Sequence, residues 1–129
     1  MVLRHVGLTC GSEDNADRFY KDLLGLEKSE SKTLPASLSK SIFNIDSELV
    51  IINYLDQDLH FEIFIAADSI RNPPQIEHLC LEVGDLNEFL NKCNILGVEV
   101  AQIPIGDKAL TFIKDFDGNL FEIKGTMRI

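Results

Sequence analysis

The sequence predicts an α+β fold built of two tandem β-α-β-β-β modules, and three internal repeats carry that prediction. Residues 3–8 (Leu-Arg-His-Val-Gly-Leu) and 76–81 (Ile-Glu-His-Leu-Cys-Leu) are two versions of one strand. Phe61-Glu62-Ile63 and Phe121-Glu122-Ile123 are two versions of another. Between these ends each half has a helical stretch stopping at a glycine, Gly25 or Gly97, which lies 20 residues after His5 in the first half and 19 after His78 in the second. Glycine at a helix end takes the left-handed conformation that a side chain resists.

In order, the first strand alternates from Leu3 to Cys10, and Ser12 or Asp14 caps a helix that runs to Leu24 with Phe19, Leu23 and Leu24 on its apolar side. A strand follows from Leu26. Gly25 stands 37 residues before Glu62 whereas Gly97 stands 25 before Glu122, so the first half holds an insertion of about a dozen residues between Glu27 and Ser47. Within it, Pro35 at a helix start and Leu38 four residues before Ile42 predict a short helix ending near Phe43. A hairpin then runs from Glu48 to Leu55, turns at Asp56-Gln57-Asp58 and returns from Leu59 to Ala66. Asn72-Pro73-Pro74 breaks the chain, separating module 1 (1–71) from module 2 (72–129). The second module repeats the scheme with a strand from Gln75 to Val83, a helix from Asp85 to Leu96, a strand from Val98 and a closing hairpin that turns at Asp115-Phe116-Asp117-Gly118.

At 129 residues and 45% apolar composition, the chain has the size of one domain with a real core, which the two modules share. No apolar run approaches the roughly 18 residues of a membrane span, and Met1-Val2-Leu3-Arg4 leads straight into a strand with no signal-peptide pattern, so a cytoplasmic protein is expected. A net charge of −9 without a basic run argues against nucleic acid and anionic membrane surfaces and leaves a small molecule as the expected partner. Cys10, Cys80 and Cys93 are odd in number and lack metal-knuckle spacing, so they are read as small buried hydrophobes in a reducing compartment.

Packing accounts for a repeated apolar pattern but gives no reason to repeat a histidine and a carboxylate, which are costly to bury without a partner. Each half nonetheless has one of each: His5 with Glu62, and His78 with Glu122. A metal supplies the reason. The bland alternative makes the histidines satisfied core residues and the glutamates solvated strand residues, and it must arise independently at four symmetry-related places. His60, two residues before Glu62, shares its strand face and is read as a wet-rim residue, with a role as base or substrate contact as the alternative. Lys124, two residues after Glu122, is read as a solvated strand-end lysine.

The paired modules, the segment Phe19-Tyr20-Lys21-Asp22-Leu23-Leu24-Gly25-Leu26 and the ending from Phe112 to Ile123, with its Asp115-x-Asp117-Gly118-Asn119-x-x-Glu122 pattern, resemble the vicinal oxygen chelate superfamily over essentially the whole chain. That group includes glyoxalase I, methylmalonyl-CoA epimerase, extradiol dioxygenases and the fosfomycin and bleomycin resistance proteins. The resemblance implies a cupped mixed sheet around one divalent metal held by His5, Glu62, His78 and Glu122. Two imidazoles and two carboxylates suit Ni, Co, Fe, Mn or Zn and leave coordination positions for substrate.

By the same resemblance the ligand pattern is closest to glyoxalase I. It implies a metal-dependent lyase or isomerase that removes a carbon-bound proton through an enediolate, with Glu62 or Glu122 as the catalytic base. Alternatives are an epimerase, whose relatives place Gln at the position of Glu62, an extradiol dioxygenase, which uses two His and one Glu, and a non-catalytic resistance protein that sequesters a small molecule. Bacterial glyoxalase I enzymes hold glutathione with an Arg four residues after the first His and an Asn four after the first Glu. Here those positions are Thr9 and Ala66, so the glutathione pattern is not carried over. The inserted segment from Pro35 to Asn44 is read as extending the core, with a lid over the cup as the alternative. A homodimer is also implied, its metal sites lying within one chain or between two.

Overall fold

The computed structural model describes residues 1–67 and 75–126 and divides into two compact units, Met1–Ile70 and Arg71–Ile129. The predicted break at Asn72-Pro73-Pro74 lies outside the described residues. Each unit builds its own mixed sheet, as the α+β reading requires.

Unit 1 runs β1 (Val6–Cys10), α1 (Glu13–Ala16, continued as a π-helix over Asp17–Leu23), β2 (Glu27–Lys28), β3 (Lys32–Leu34), α2 (Ala36–Phe43), β4 (Leu49–Leu55) and β5 (His60–Ile65). The strand order is β1-β5-β4-β2, with β3 also paired to β4; β1 lies parallel to β5 and the other pairings are antiparallel. Of the two candidate caps, Ser12 is the one used, its side chain accepting from the Asn15 amide at 3.1 Å. The uniform α-helix expected up to Leu24 is instead widened over Asp17–Leu23. A wider turn rotates less per residue, so the adjacent Phe19 and Tyr20 are both buried along with Leu23. Tyr20 stacks against Tyr54 and Phe61 with ring centroids 5.7 and 5.3 Å apart, and Ile52 and Ile63 complete this core layer.

The strand expected from Leu26 is two short pieces, because the step from Lys28 to Lys32 is opposed by the shorter step from Tyr54 to Ile51, and the extra residue interrupts the ladder just after the Ser29 amide donates to the Asn53 carbonyl at 2.9 Å. The inserted helix forms as predicted, entered through Pro35 and closed by Asn44 in the left-handed region at φ 59°. At the hairpin turn, Asp56 Oδ1 accepts from the amides of Asp58 and Leu59, both at 2.8 Å, which sets the register of β4 on β5.

Unit 2 runs β6 (Leu79–Val83), α3 (Leu86–Leu96), β7 (Glu99–Ile105), β8 (Lys108–Lys114) and β9 (Leu120–Gly125), in the order β6-β9-β8-β7 with β6 parallel to β9. This is the expected β-α-β-β-β. Asp85 caps α3, accepting from the Glu88 amide at 3.0 Å, and the helix buries Cys93. Val98, Ile113, Phe121 and Ile123 are buried in the same unit. Gly25 and Gly97 end their helices at φ 73° and 75°, the conformation the repeat predicts.

Two boundaries differ from expectation in the same way: the first strand of each module starts at Val6 and Leu79, not at Leu3 and Gln75. Each is laddered on one side only, and pairing begins opposite Phe61 and Phe121. His5 and His78 therefore sit just ahead of their strands, released from the ladder but in register with it. Among the described residues no helix is long and apolar enough to cross a membrane.

Candidate metal centre

The parallel ladders decide where the four predicted residues fall. Gly7 is opposite Glu62 on the neighbouring strand, and Cys80 is opposite Glu122. His5 and His78 each precede that paired residue by two, so alternation puts each histidine on the face of its own glutamate. In unit 1, His5 Nε2 stands 3.7 Å from Glu62 Oε1; in unit 2, His78 Nε2 stands 3.9 Å from Glu122 Oε1. Side-chain exposures of 45% and 27% in the first pair, and 37% and 17% in the second, leave the donor atoms reachable. None of the four is a sealed core residue, and each histidine faces a carboxylate.

His78 shows most directly what the pair is suited for. Its Nδ1 lies 2.7 Å from the carbonyl oxygen of Ile76, which can only accept, so Nδ1 carries the proton and donates it. In the neutral ring, Nε2 then presents a lone pair toward Glu122. A proton on Nε2 or a metal ion between the two atoms satisfies both at 3.9 Å, and bonds of about 2.1 Å from each to a metal would span up to about 4.2 Å. The 3.7 Å separation of the first pair meets the same condition. The donor chemistry thus fits a divalent metal of the N/O-preferring kind. Two donors are too few to hold one firmly, and among the described residues no cluster of three or more His, Cys, Asp or Glu side chains is present. His5 and Glu62 belong to one unit, His78 and Glu122 to the other.

The turn ahead of β9 positions Glu122. Asp115 Oδ1 accepts from the amides of Asp117 and Asn119 at 3.0 and 2.8 Å, and Asn119 Nδ2 donates to Asp115 Oδ2 at 2.7 Å, all buried. The Asp-x-Asp-Gly-Asn signature is therefore a structural knot that fixes where β9 starts, with Gly118 supplying a φ of 89°. Lys124 is strongly exposed, as expected of a strand-end lysine, with Nζ 4.0 Å from Glu122 Oε2.

His60 shares the Glu62 face as alternation requires, but it is held in place: its Nε2 is 2.7 Å from Asn53 Oδ1, and its ring centroid is 5.6 Å from that of His5. Sequence reasoning did not single out Asn53, although counting back from the turn puts residue 53 opposite residue 62. The cysteine reading needs one correction. Cys10 and Cys93 are buried, but Cys80 is exposed, because it lies on the His78 face directly beside Glu122. The His78 ring also meets Phe112 edge-on at 5.7 Å.

Residues 2–123 match the family model described as the glyoxalase/bleomycin resistance protein/dioxygenase superfamily. The chain belongs to that superfamily. Among solved structures of similar fold is a glyoxalase family protein from Enterococcus faecalis, 22% identical with a TM-score of 0.71, covering 95% of each chain. Another is the fosfomycin resistance protein FosX from Listeria monocytogenes, 17% identical with a TM-score of 0.71 over 98% of this chain and 94% of that one. A glutamate-to-glutamine mutant of the Listeria FosX, complexed with Mn(II) and 1S,2S-dihydroxypropylphosphonic acid, gives a TM-score of 0.74 at 19% identity, covering 98% of this chain and 93% of that one. No curated protein matches the chain. Within this superfamily member, each module brings its first and last strands side by side, and that places a histidine beside a glutamate twice.

Proposed function

We propose that His5, Glu62, His78 and Glu122 jointly hold one divalent metal ion of the Ni, Co, Zn, Fe or Mn group, and that the protein is a glyoxalase I-like lyase or isomerase. Its substrate would be a small molecule with two neighbouring oxygens. The observation that carries this reading is the twofold His–Glu pairing, in one register, at 3.7 and 3.9 Å. Neither pair alone is a sufficient ligand set, and the reading requires the two pairs together to supply four donors. Nickel, cobalt, zinc, iron or manganese, when bound, supplies positive charge beside the two substrate oxygens and so acidifies the adjoining C–H bond.

The chain's own groups do the rest. A carboxylate oxygen of Glu62 takes the carbon-bound proton and returns it to the same or the neighbouring carbon, so the net change is an isomerisation. Glu62 is preferred over Glu122 because it is the more exposed of the two and lacks a lysine at its second oxygen, whereas Glu122 Oε2 has Lys124 4.0 Å away. His5 and His78 orient the acceptors, with the Ile76 carbonyl locking His78 in the required tautomer.

The test is exchange of the substrate's carbon-bound proton with solvent deuterium, on an α-keto hemithioacetal and on a 2-methyl-branched acyl thioester. Glu62→Gln keeps an oxygen donor but loses the base, and is expected to slow exchange by about a hundred- to ten-thousand-fold. Undiminished exchange in both Glu62→Gln and Glu122→Gln removes either glutamate as the base, and oxygen uptake with a catechol transfers the protein to the dioxygenase branch. The cytoplasm and a homodimer complete this reading; sedimentation of the metal-loaded protein as a monomer at micromolar concentration would remove the dimer.

A further inference from the structure

A cavity of about 480 Å³ lies in unit 1, lined among others by Thr9, Ile45, Ser47, Glu48, Leu49 and Ala66. Of its strand-row residues, Thr9, Leu49 and Ala66 share by alternation the face that carries the first His–Glu pair, while Ile65 belongs to the opposite face, so the cavity lies at the strand ends. His5, Gly7 and Thr9 follow one another on that face, as do Glu62, Phe64 and Ala66, and so do Asn53, Ile51 and Leu49 on the strand paired with them. Two contacts agree. A Cβ built on Gly7 would come 3.4 Å from Phe64 Cε2, so the open side of Gly7 and the Phe64 ring share the face. Phe43, the last residue of α2, meets the Phe64 ring edge-on at 5.2 Å, so the end of the inserted helix reaches that same face. From Glu62 the row passes under this aromatic pair and reaches the cavity four residues on, about 13 Å at roughly 3.3 Å per residue.

We propose that this cavity binds the end of the substrate remote from the chelated oxygens, and that this end is an apolar chain finishing in a hydrogen-bond donor, an amine or a hydroxyl. The volume is that of a small-molecule site. Ile45, Leu49 and Ala66 offer apolar wall, and Leu49 is buried. The polar groups are the hydroxyls of Thr9 and Ser47 and the carboxylate of Glu48; among the described residues that line the cavity none is cationic. A carboxylate on the wall accepts from a donor and repels an anionic tail, and no lysine, arginine or histidine of the described lining offsets it. The aromatic pair between the two ends provides the apolar surface over which a chain would run. The inserted segment adds little core, since Leu38 and Ile42 are exposed; its last helical residue, Phe43, meets Phe64 beside the path, and the loop after it supplies Ile45, Ser47 and Glu48.

This inference rests on the metal reading, and the test separates the two. Full-length protein loaded with manganese is titrated calorimetrically with hydroxamates, which chelate through two neighbouring oxygens. The set bears a methyl group, a straight octyl chain, or the octyl chain ending in an amine or in a carboxylate. The octyl compound is expected to bind at least about tenfold more tightly than the methyl compound, since several methylenes leave water. The amine end should keep that gain and the carboxylate end lose most of it. Ala66→Arg should shrink the octyl-to-methyl ratio and reverse the order of amine and carboxylate; Ser47→Lys, on an exposed loop, should reverse that order if the first variant does not fold. Methyl hydroxamate binding with no gain from the octyl chain overturns the tail site and leaves the metal reading standing. Methyl hydroxamate binding no better to loaded than to metal-free protein overturns both.

Discussion

Asp17 lies inside the first helical stretch, yet it is held by residues far along the chain. Its Oδ1 accepts from the Tyr54 hydroxyl at 2.7 Å, and Lys28 Nζ donates to Oδ2 at 3.0 Å while also pairing with Glu13. Burial works to raise the Asp17 carboxyl, but the hydrogen bonds from Tyr54 and Lys28 outweigh it, so the group titrates below its ordinary value of 3.8. Burial and the same bond push the Tyr54 hydroxyl up. A carboxyl depressed on folding adds stability that is complete above its unfolded value and disappears as the pH falls through the folded one. Asp17→Asn should therefore be less stable than the parent near neutrality, and the gap should close as the pH falls below the ordinary carboxyl value, read by urea denaturation at each pH. A gap that stays constant or widens on acidification would contradict this account. At this scale the sequence discloses what is repeated: His5, Glu62, His78 and Glu122 stand out because packing does not ask for them twice. It hides what is made once by tertiary contact, namely the Tyr54–Asp17 bond, Asn53 beneath His60, and the exposure of Cys80.

The elements were legible where local chemistry decides them. Ser12 and Asp85 cap, Gly25 and Gly97 stop, and Asp56 and Asp115 turn the chain, each with a hydrogen bond or a left-handed φ to show for it. They were not legible where neighbours decide. The π-helix over Asp17–Leu23 follows from burying Phe19 and Tyr20 together, and the strand starts at Val6 and Leu79 follow from one-sided ladders. The inserted helix α2 falls between: Pro35 and the Leu38–Ile42 spacing foretell it, while the face it covers comes only from Phe43 on Phe64. Helix α2 also holds a flaw. Ser39 is fully buried and its hydroxyl has no hydrogen-bond partner among the described residues. Ser39→Ala removes that group and installs a better helix former, so it should stabilise unit 1 by about 1 kcal/mol, seen as a higher urea midpoint at unchanged slope. A loss of stability would show that the hydroxyl is satisfied in solution.

The whole molecule is a duplication whose halves differ in length and share a strand pairing. Unit 1 carries the inserted helix α2, while unit 2 has the bare β-α-β-β-β plan with every residue of β7 exposed. Both kept a histidine ahead of the first strand and a glutamate as the third residue of the last. The central claim is that these two pairs serve one ion. Elemental analysis of protein purified without chelator tests it most directly, on the parent and on His5→Ala and His78→Ala. One divalent transition-metal ion per chain is expected in the parent, with either variant losing most of it, since each removes a donor from the same set. Two ions per chain, with each variant losing only one, would mean that the pairs act separately; metal content unchanged by both substitutions would mean that neither pair binds metal at all.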